Sequence, residues 1–402
     1  MCGIAGIAGK NAQQYQQQVK QMTNGICHRG PDGEGMSAFE NCVLGHRRLS
    51  IIDLTTGDQP MHSCYGATII FNGEFYGYLD TKKQLQYAWK TTSDTEVILA
   101  LYHQFGADKF VQHIRGMFSF AIWDEKEQRL IAARDRFGEK PFYYALAKDG
   151  EIVFASEIKA ILASGLIHPE ISPEALTHYL QHLYVHPHHS IYKNIFVLPP
   201  AHYLLYQNGE LTIKRYWHLP QKQLKITKQE AKTECYRLLQ KAVQQQLIAD
   251  VPVGCFLSGG VDSSTITALA SLNASHPLTT ISFSFGADKS ELLYSRQVAA
   301  KYNTHNIELH QDDFNMAQWF KKMTEIYDEP FADSSNIPTY LISQMAAKQF
   351  KVVLTGDGGD ELMAGYRGWY RSLYQMQHPT GAGGQIKNQV KKILHSKYRN
   401  NN

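Results

Sequence analysis

Leu257-Ser258-Gly259-Gly260-Val261-Asp262-Ser263-Ser264 is the stretch from which the fold of this 402-residue chain can be read. It follows an apolar run, Val251 to Leu257, and precedes Thr265-Ile266-Thr267-Ala268-Leu269-Ala270, which reads as a helix. A strand, a glycine-bearing turn with hydroxyls and a helix start make a phosphate cradle. Small residues let backbone N–H groups reach an anion, and the positive end of the helix dipole faces it. It is not a Walker A loop, because no Lys follows the glycines. The two glycines alone would fit a tight, capped turn equally well.

Working outward, a polar segment from Gln221 to Lys228 leads into a helix that Thr227 and Glu230 open as a capping box. Ala231, Cys235, Leu238, Leu239, Ala242 and Val243 recur at helical spacing along it. Strands and helices then alternate: Val251–Leu257, Thr279–Phe285, Asn306–Leu309 and Val352–Thr355 as strands, with helices between them. Alternation of this kind gives a parallel sheet with helices on both faces, and ligands sit at its C-terminal strand ends. The residues before about 220 read differently. Short apolar runs such as Ala67–Phe71, Phe118–Trp123, Leu130–Ala133 and Glu151–Ala155 are separated by the turn signals Asn72-Gly73, Lys148-Asp149-Gly150 and Asn208-Gly209. A helix over Asp94 to Gln104 interrupts them, and together they predict a layered α+β domain. The division expected is therefore 1–220, 221–371 and a divergent tail, 372–402.

The length suggests two or three domains. Hydrophobic residues at 43%, charged residues at 19% and a net charge of +3 describe a globular protein with no basic tract for nucleic acid. Six Cys form no C-x-x-C pair, which suits reduced thiols in a cytosolic protein. The apolar N-terminus lacks the basic flank of a leader, and no run approaches the ~20 apolar residues of a membrane span. A cytoplasmic location is expected.

Cys2 follows the initiator Met, and removal of Met1 before a small residue would make it the first residue. A terminal Cys holds nucleophile and base together, since its own α-amine can take the thiol proton. Its company gives this weight. Met1-Cys2-Gly3-Ile4-Ala5-Gly6, His28-Arg29-Gly30-Pro31-Asp32-Gly33, His46-Arg47-Arg48-Leu49-Ser50-Ile51-Ile52-Asp53 and Phe71-Asn72-Gly73-Glu74 resemble the N-terminal-nucleophile domain of the class-II glutamine amidotransferases. The string S-G-G-x-D-S-S/T is that of the ATP pyrophosphatases. With Arg134-Asp135-Arg136-Phe137-Gly138-Glu139-Lys140-Pro141 and Phe154-Ala155-Ser156-Glu157-Ile158-Lys159, the resemblance narrows to the glutamine-hydrolysing asparagine synthetases. It runs from residue 1 to about 371. The fold implied is an αββα N-terminal-nucleophile domain followed by an α/β parallel-sheet ATP-pyrophosphatase domain.

The resemblance implies the following roles. Cys2 attacks the glutamine side-chain amide, and Asn72 with the Gly73 N–H stabilises the oxyanion. Arg48 through Ile52 (Leu49, Ser50 and Ile51 between them) line the glutamine site, with Arg48 on the α-carboxylate and Glu74 and Asp94 on the α-ammonium. Leu257, Phe285, Thr355 and Gly356 surround ATP, while Ser258, Gly259, Gly260, Asp262, Ser263 and Ser264 hold the pyrophosphate. Asp357 is a catalytic candidate, and Asp262 with Asp360 would hold Mg²⁺. Asp328-Glu329-Pro330 and Asp333 to Pro338 resemble the acceptor-site segment.

The implied reaction converts aspartate and ATP to β-aspartyl-AMP and pyrophosphate, then to asparagine with ammonia from glutamine. The partners are these small molecules, with neither nucleic acid nor membrane, and a homodimer as the candidate assembly. Two departures from the family are Gly77 and Ala201, where the family often has Asn and Gly. After Arg371 the chain diverges, with a Gly-rich linker and a Lys-rich amphipathic stretch, Gln385 to Tyr398, read as a terminal helix. The family's C-terminal helical section, with residues that contact the adenylate, is missing there. Two alternatives follow: a related amidotransferase acting on another carboxylate, or a glutaminase whose second half is defective or regulatory. His186-Pro187-His188-His189 reads as surface histidines rather than a metal site.

Overall fold

The apolar runs of the first 215 residues become twelve strands, and each alternates its side chains between two faces. They are β1 (Gly3–Ala8), β2 (Gly33–Phe39), β3 (Cys42–Arg48), β4 (Met61–His62), β5 (Ala67–Phe75) and β6 (Gly116–Asp124). There follow β7 (Arg129–Arg134), β8 (Tyr143–Leu146), β9 (Ile152–Ala155), β10 (Phe196–Val197), β11 (His202–Gln207) and β12 (Glu210–Arg215). Helices α1 (Gln16–Gly25), α2 (Tyr78–Lys82), α3 (Asp94–Phe105), α4 (Ile158–Ala163) and α5 (Pro173–His182) lie among them. The strands form two six-stranded sheets, in the orders β10-β8-β9-β1-β3-β2 and β12-β11-β7-β6-β5-β4.

Alternation decides which core each residue enters. Ile4 and Ala8 of β1, Leu44, Ile70, Trp123 and Phe154 fill the space between the two sheets. Ala5 and Ile7, one residue out of phase, instead meet Val19, Met22, Ile158 and Ile161 of α1 and α4. On the far side Ile69, Phe71, Phe118 and Phe120 pack against Val97, Ile98 and Leu101 of α3. Helix, sheet, sheet, helix is the αββα layering implied above. Full burial of each such side chain contributes about 1.5–3 kcal/mol, so register is strongly specified.

One turn signal is corrected by the structure. Asn72-Gly73 lies inside β5, where Asn72 opposes Ser119 and Gly73 opposes Phe118. Gly73 is required there because a Cβ would come within 2.2 Å of the Met117 carbonyl oxygen. Asn208-Gly209 does turn, with φ of 53° and 81°, the positive pair that a two-residue hairpin needs.

The remaining elements are α6 (Lys228–Gln246), β13 (Val253–Phe256), α7 (Val261–Asn273), β14 (Thr279–Phe285), α8 (Ser290–Tyr302) and β15 (His305–Gln311). Then come α9 (Met316–Ile326), α10 (Asn336–Ala346), β16 (Val352–Leu354), α11 (Gly359–Met363) and α12 (Arg367–Gln377). The capping box of α6 forms as read: Thr227 accepts the Glu230 N–H, and the Glu230 carboxylate accepts the Thr227 N–H. Its apolar stripe is less covered than the spacing predicts, with Val243 buried and Leu238 exposed. The sheet order is β15-β14-β13-β16, with β13 and β14 parallel.

The computed structural model describes residues 1–221, 223–285, 290–311 and 316–378, so the Lys-rich stretch Gln385 to Tyr398 lies outside the described residues. By packing the chain forms two units: Met1–Val253 with Gln311–Val353, and Gly254–His310 with the chain from Leu354 onward. The boundary read near residue 220 falls inside the first. No described helix is long and apolar enough to cross a membrane.

Candidate active site

In the first unit a pocket opens at the start of β1. Met1, Cys2, Arg48, Leu49, Ile51, Ile52, Gly73, Glu74 and Asp94 line it, together with Gly57, Gln59, Phe71, Ser93 and Thr95. Three lengths of chain far apart in sequence meet here: the N-terminus, the loop after β3, and β5 with the start of α3.

Cys2 is held by that loop. Its sulfur accepts the Leu49 N–H at 3.4 Å, and its carbonyl accepts from Arg29 Nε at 2.9 Å. Burial pushes the thiol above its ordinary value, while the Leu49 N–H and the nearby amine oppose that shift. The same burial lowers the Met1 amine to about 6, so this amine is a neutral base at neutral pH. Both shifts reflect the same burial, which disfavours charge on the thiol and on the amine. Met1 itself forms part of the wall of the pocket.

Arg48 ends β3 with its guanidinium buried. Nη1 donates to Asp58 at 2.7 Å, and Nη2 donates to the Ile52 carbonyl at 3.5 Å and to the Asp53 carbonyl. Asp53, left-handed at φ 53°, fixes this loop: its carboxylate accepts the Thr56 and Thr92 N–H groups, each at 2.8 Å. These bonds hold the carboxyl at about 2 against the opposing effect of burial.

Opposite charge gathers across the pocket. Asp94 opens α3 and accepts the Phe75 N–H at 2.9 Å. Ser93, not Asp94, caps that helix, by accepting the Thr95 N–H at 3.2 Å. Burial and the neighbouring Asp94 drive Glu74 well above the carboxylate range, and burial raises Asp94 to about 6. Lys140 and the N-terminal amine partly offset this at Glu74, and the Phe75 and Thr95 N–H groups do so at Asp94.

Asn72 is fully buried; its amide nitrogen reaches Ser119 Oγ at 3.5 Å and its Oδ1 has no partner. Gly73 lines the pocket, but Asn72 and Ser50 are not among the lining residues; the Ser50 N–H goes to Asp32 at 2.8 Å. Gln59 and Ser93 are the additions that sequence reasoning missed. Gln59 accepts the Phe71 N–H at 2.6 Å and donates to Thr95 at 3.3 Å, which ties the loop to both β5 and α3. A glutamine before Pro60 carries no signal of that role.

Asp328 and Glu329 also lie in the first unit. Asp328 accepts the Lys159 N–H at 3.0 Å, and Glu329 accepts the Ile191 N–H at 2.6 Å. The histidines of the 186–189 loop gain neighbours that the sequence did not suggest: the His178 ring lies 4.4 Å from His182 and 5.3 Å from His186. Among the described residues no group of three His, Cys, Asp or Glu could hold a metal.

In the second unit the Ser258–Ser264 turn forms at the end of β13. Leu257 is buried, with its N–H on the Ile281 carbonyl at 2.9 Å. Gly259 takes φ +83°, which favours glycine, and Gly260 caps α7 in extended geometry. The loop's hydroxyls close on its own backbone: Ser263 Oγ accepts the Ser258 N–H at 3.3 Å, and Ser258 Oγ accepts the Gly260 N–H at 3.2 Å. A phosphate would compete with these hydroxyls for the same N–H groups. Ser264 Oγ is buried without a partner.

The Thr355–Glu361 stretch packs directly on this loop. A Cβ on Gly356 would meet the Ser263 nitrogen at 2.8 Å, and one on Gly359 would meet Asp262 Oδ2 at 2.6 Å. Thr355 donates to Asp357 at 3.0 Å. The Asp360 carboxylate sits over Gly365, where an added Cβ would lie 1.6 Å from Oδ1. Phe285 is the last residue of β14, and its side chain lies outside the described residues.

An N-terminal-nucleophile layered domain with a pocket at Cys2, followed by an α/β domain with a serine-glycine loop, has the layout of a two-domain amidotransferase. Family comparison matches residues 1–217 to a glutamine amidotransferase domain and residues 234–400 to asparagine synthase. The second match runs past Arg371, where the resemblance was read as ending. A Methanocaldococcus jannaschii protein provisionally named glutamine-hydrolysing asparagine synthetase 2 is 37% identical over 91% of this chain and 76% of its own length. Glutamine-hydrolysing asparagine synthetases 1 and 3 of Bacillus subtilis are 36% and 33% identical, and this chain spans 59% and 64% of their lengths. The chain belongs to the glutamine-hydrolysing asparagine synthetase family.

Proposed function

We propose that this chain makes asparagine from aspartate, driven by ATP, with ammonia taken from glutamine. The observation that carries the glutamine half is the charge pattern around Cys2. A buried guanidinium, Arg48, and a buried carboxylate pair, Glu74 and Asp94, share one pocket with a nucleophile. An α-amino acid is the ligand whose carboxylate and ammonium satisfy both at once, leaving its side chain at the sulfur.

Once Met1 is removed, the α-amine of Cys2 takes the thiol proton and the thiolate attacks the side-chain amide carbonyl. The Gly73 N–H, with the Asn72 amide, receives the developing oxyanion. The proton returns to the leaving nitrogen, ammonia departs, and water hydrolyses the thioester to glutamate.

In the second unit Ser258, Gly260 and Ser263 exchange their mutual hydrogen bonds for those to the ATP phosphates. Leu257, Thr355 and Gly356 lie beside that loop, and Phe285 is assigned by resemblance alone. The aspartate β-carboxylate attacks the α-phosphorus and releases pyrophosphate, and ammonia then displaces AMP from β-aspartyl-AMP. Mg²⁺ fits here as a phosphate-borne ion. Asp262 is kept beside residue 359 by the missing Cβ, and a Mg²⁺ site uses one or two carboxylates plus phosphate oxygens. Asp262 and Asp360 would hold it, and it would neutralise charge on the departing pyrophosphate. Asp357 remains the further catalytic candidate.

The test is pyrophosphate release with ATP, Mg²⁺ and aspartate, supplied with either glutamine or ammonium. Aspartate-dependent release from both nitrogen sources supports the reading, and Cys2→Ala should lose the glutamine-dependent product alone. Glutamine hydrolysis without any aspartate-dependent pyrophosphate would overturn the synthetase half.

A further inference from the structure

We propose that Asp58 is a built-in competitor for the carboxylate of the substrate on Arg48, and so sets how tightly the pocket takes carboxylate ligands. The inference rests on the reading above, in which Arg48 holds the α-carboxylate of glutamine.

The two ends of the Arg48 guanidinium are not equivalent. Nη2 is committed to the carbonyls of Ile52 and Asp53, and Gly57 crowds it so closely that a Cβ there would lie 2.5 Å from it. Nη1 carries the exchangeable position, and Asp58 Oδ1 fills it at 2.7 Å. The partners differ sharply in exposure, with side-chain values of 8% for Arg48 and 84% for Asp58. Among the described residues Asp58 has no other hydrogen-bond or ion-pair partner. Its neighbours Gly57 and Gln59 both line the pocket.

A buried guanidinium left unpaired would be costly, so the empty pocket gains from a carboxylate at Nη1. A substrate carboxylate that approaches the guanidinium through Nη1 competes with Asp58 for that end of the fork. Asp58 must then swing out, and its exposure lets it do so without disturbing any packing. The cost to the substrate is small, because an ion pair with so exposed a partner is weak. It nevertheless weighs on every carboxylate equally. A ligand that also carries an ammonium recovers it at Glu74 and Asp94, whereas a simple carboxylic acid does not. Asp58 thereby lowers the affinity of the pocket for every carboxylate ligand by the same factor, and the preference for a zwitterion rests with Glu74 and Asp94.

The experiment compares glutamine hydrolysis by the full chain and by Asp58→Asn and Asp58→Ala. Both variants are expected to lower KM for glutamine about two- to fivefold, the range of an exposed ion pair, with the gain in KM rather than kcat. The α-amide of glutamine, which lacks the carboxylate, should show no gain. Inhibition by glutarate, a carboxylate without the ammonium, should strengthen by the same factor. Raising the salt concentration should shrink the difference between wild type and variant, since the pair is screened. Arg48→Gln separates the two layers. If it leaves KM for glutamine unchanged, the assignment of Arg48 itself fails. If it raises KM while neither Asp58 variant lowers it, or if the α-amide gains equally, the competitor role of Asp58 is overturned.

Discussion

Asp94 accepts the backbone N–H of Phe75 at 2.9 Å, and that bond sets its carboxylate against Glu74, one residue earlier on β5. The two are buried together, and both titrate above the ordinary carboxylate range, Asp94 near 6. An ammonium placed between them would stabilise the ionised forms, so binding must release protons wherever the free pair is protonated. Affinity for glutamine should therefore rise from pH 5 to pH 7, by at most about tenfold per pH unit for one proton. Calorimetry on Cys2→Ala in buffers of different ionisation heat checks this. A flat affinity with no proton release would show that the pair does not receive the ammonium.

The same pair should make the empty protein less stable than it could be. A carboxyl whose folded pKa is raised contributes stability that is fully present below its unfolded value, near 4, and is lost as pH rises through the folded value. For Asp94 that window is about pH 4 to 6. Asp94→Asn keeps an acceptor for the Phe75 N–H and removes the charge. It should raise thermal stability at pH 7.5 by on the order of 1 kcal/mol, net of the lost charge at the start of α3, with the gain gone at pH 4. KM for glutamine should rise about tenfold or more, as expected for loss of a charge-assisted bond. Lower stability at pH 7.5 would contradict the proposed repulsion.

Met1 lies in the wall of the pocket that Cys2 opens onto. Burial already lowers the amine there to about 6, and the Cys2 amine exposed by processing would occupy similar surroundings. Intact mass should show loss of Met1 in active protein. A preparation made without methionine aminopeptidase should hydrolyse glutamine at least about 10²-fold more slowly, the usual worth of a positioned general base. In the processed enzyme the rate should fall as pH drops and the Cys2 amine becomes protonated.

The layering was legible from motif resemblance, whereas the assignment of Ile4 and Ile7 of one wholly buried strand to different cores shows only in the fold. Asn72-Gly73 misled because the dipeptide also serves in a strand whose neighbour comes too close for a Cβ. Propensity describes the local chain, whereas this glycine answers to β6. Arg48, Glu74 and Asp94 could be named from motif resemblance, but only folding shows that burial unsettles the acidic pair. Asp58 and Gln59 were not legible at all. Asp58 acts through its contact with Arg48 and Gln59 through those with Phe71 and Thr95, and no spacing rule encodes them. The stripe of α6 is the reverse case, a helical pattern of which only Val243 is fully buried and Leu238 is exposed.

Gly356 is the position at which the second unit can be tested most sharply. A Cβ there would meet the Ser263 nitrogen at 2.8 Å and the Asp262 carbonyl carbon at 3.1 Å. Both are backbone atoms at the start of α7, which cannot swing aside as a side chain can. Gly356→Ala should therefore displace the Ser258–Ser264 loop and abolish aspartate-dependent pyrophosphate release. Gly359→Ala meets the Asp262 carboxylate at 2.6 Å instead, and a carboxylate can rotate away. That variant should still turn over, with a raised requirement for ATP and Mg²⁺, because Asp262 is moved from the phosphates. Glutamine hydrolysis depends on residues of the first unit and serves as the internal control in both. Unchanged ATP affinity in Gly356→Ala, measured alongside normal glutaminase activity, would show that the nucleotide does not use this loop.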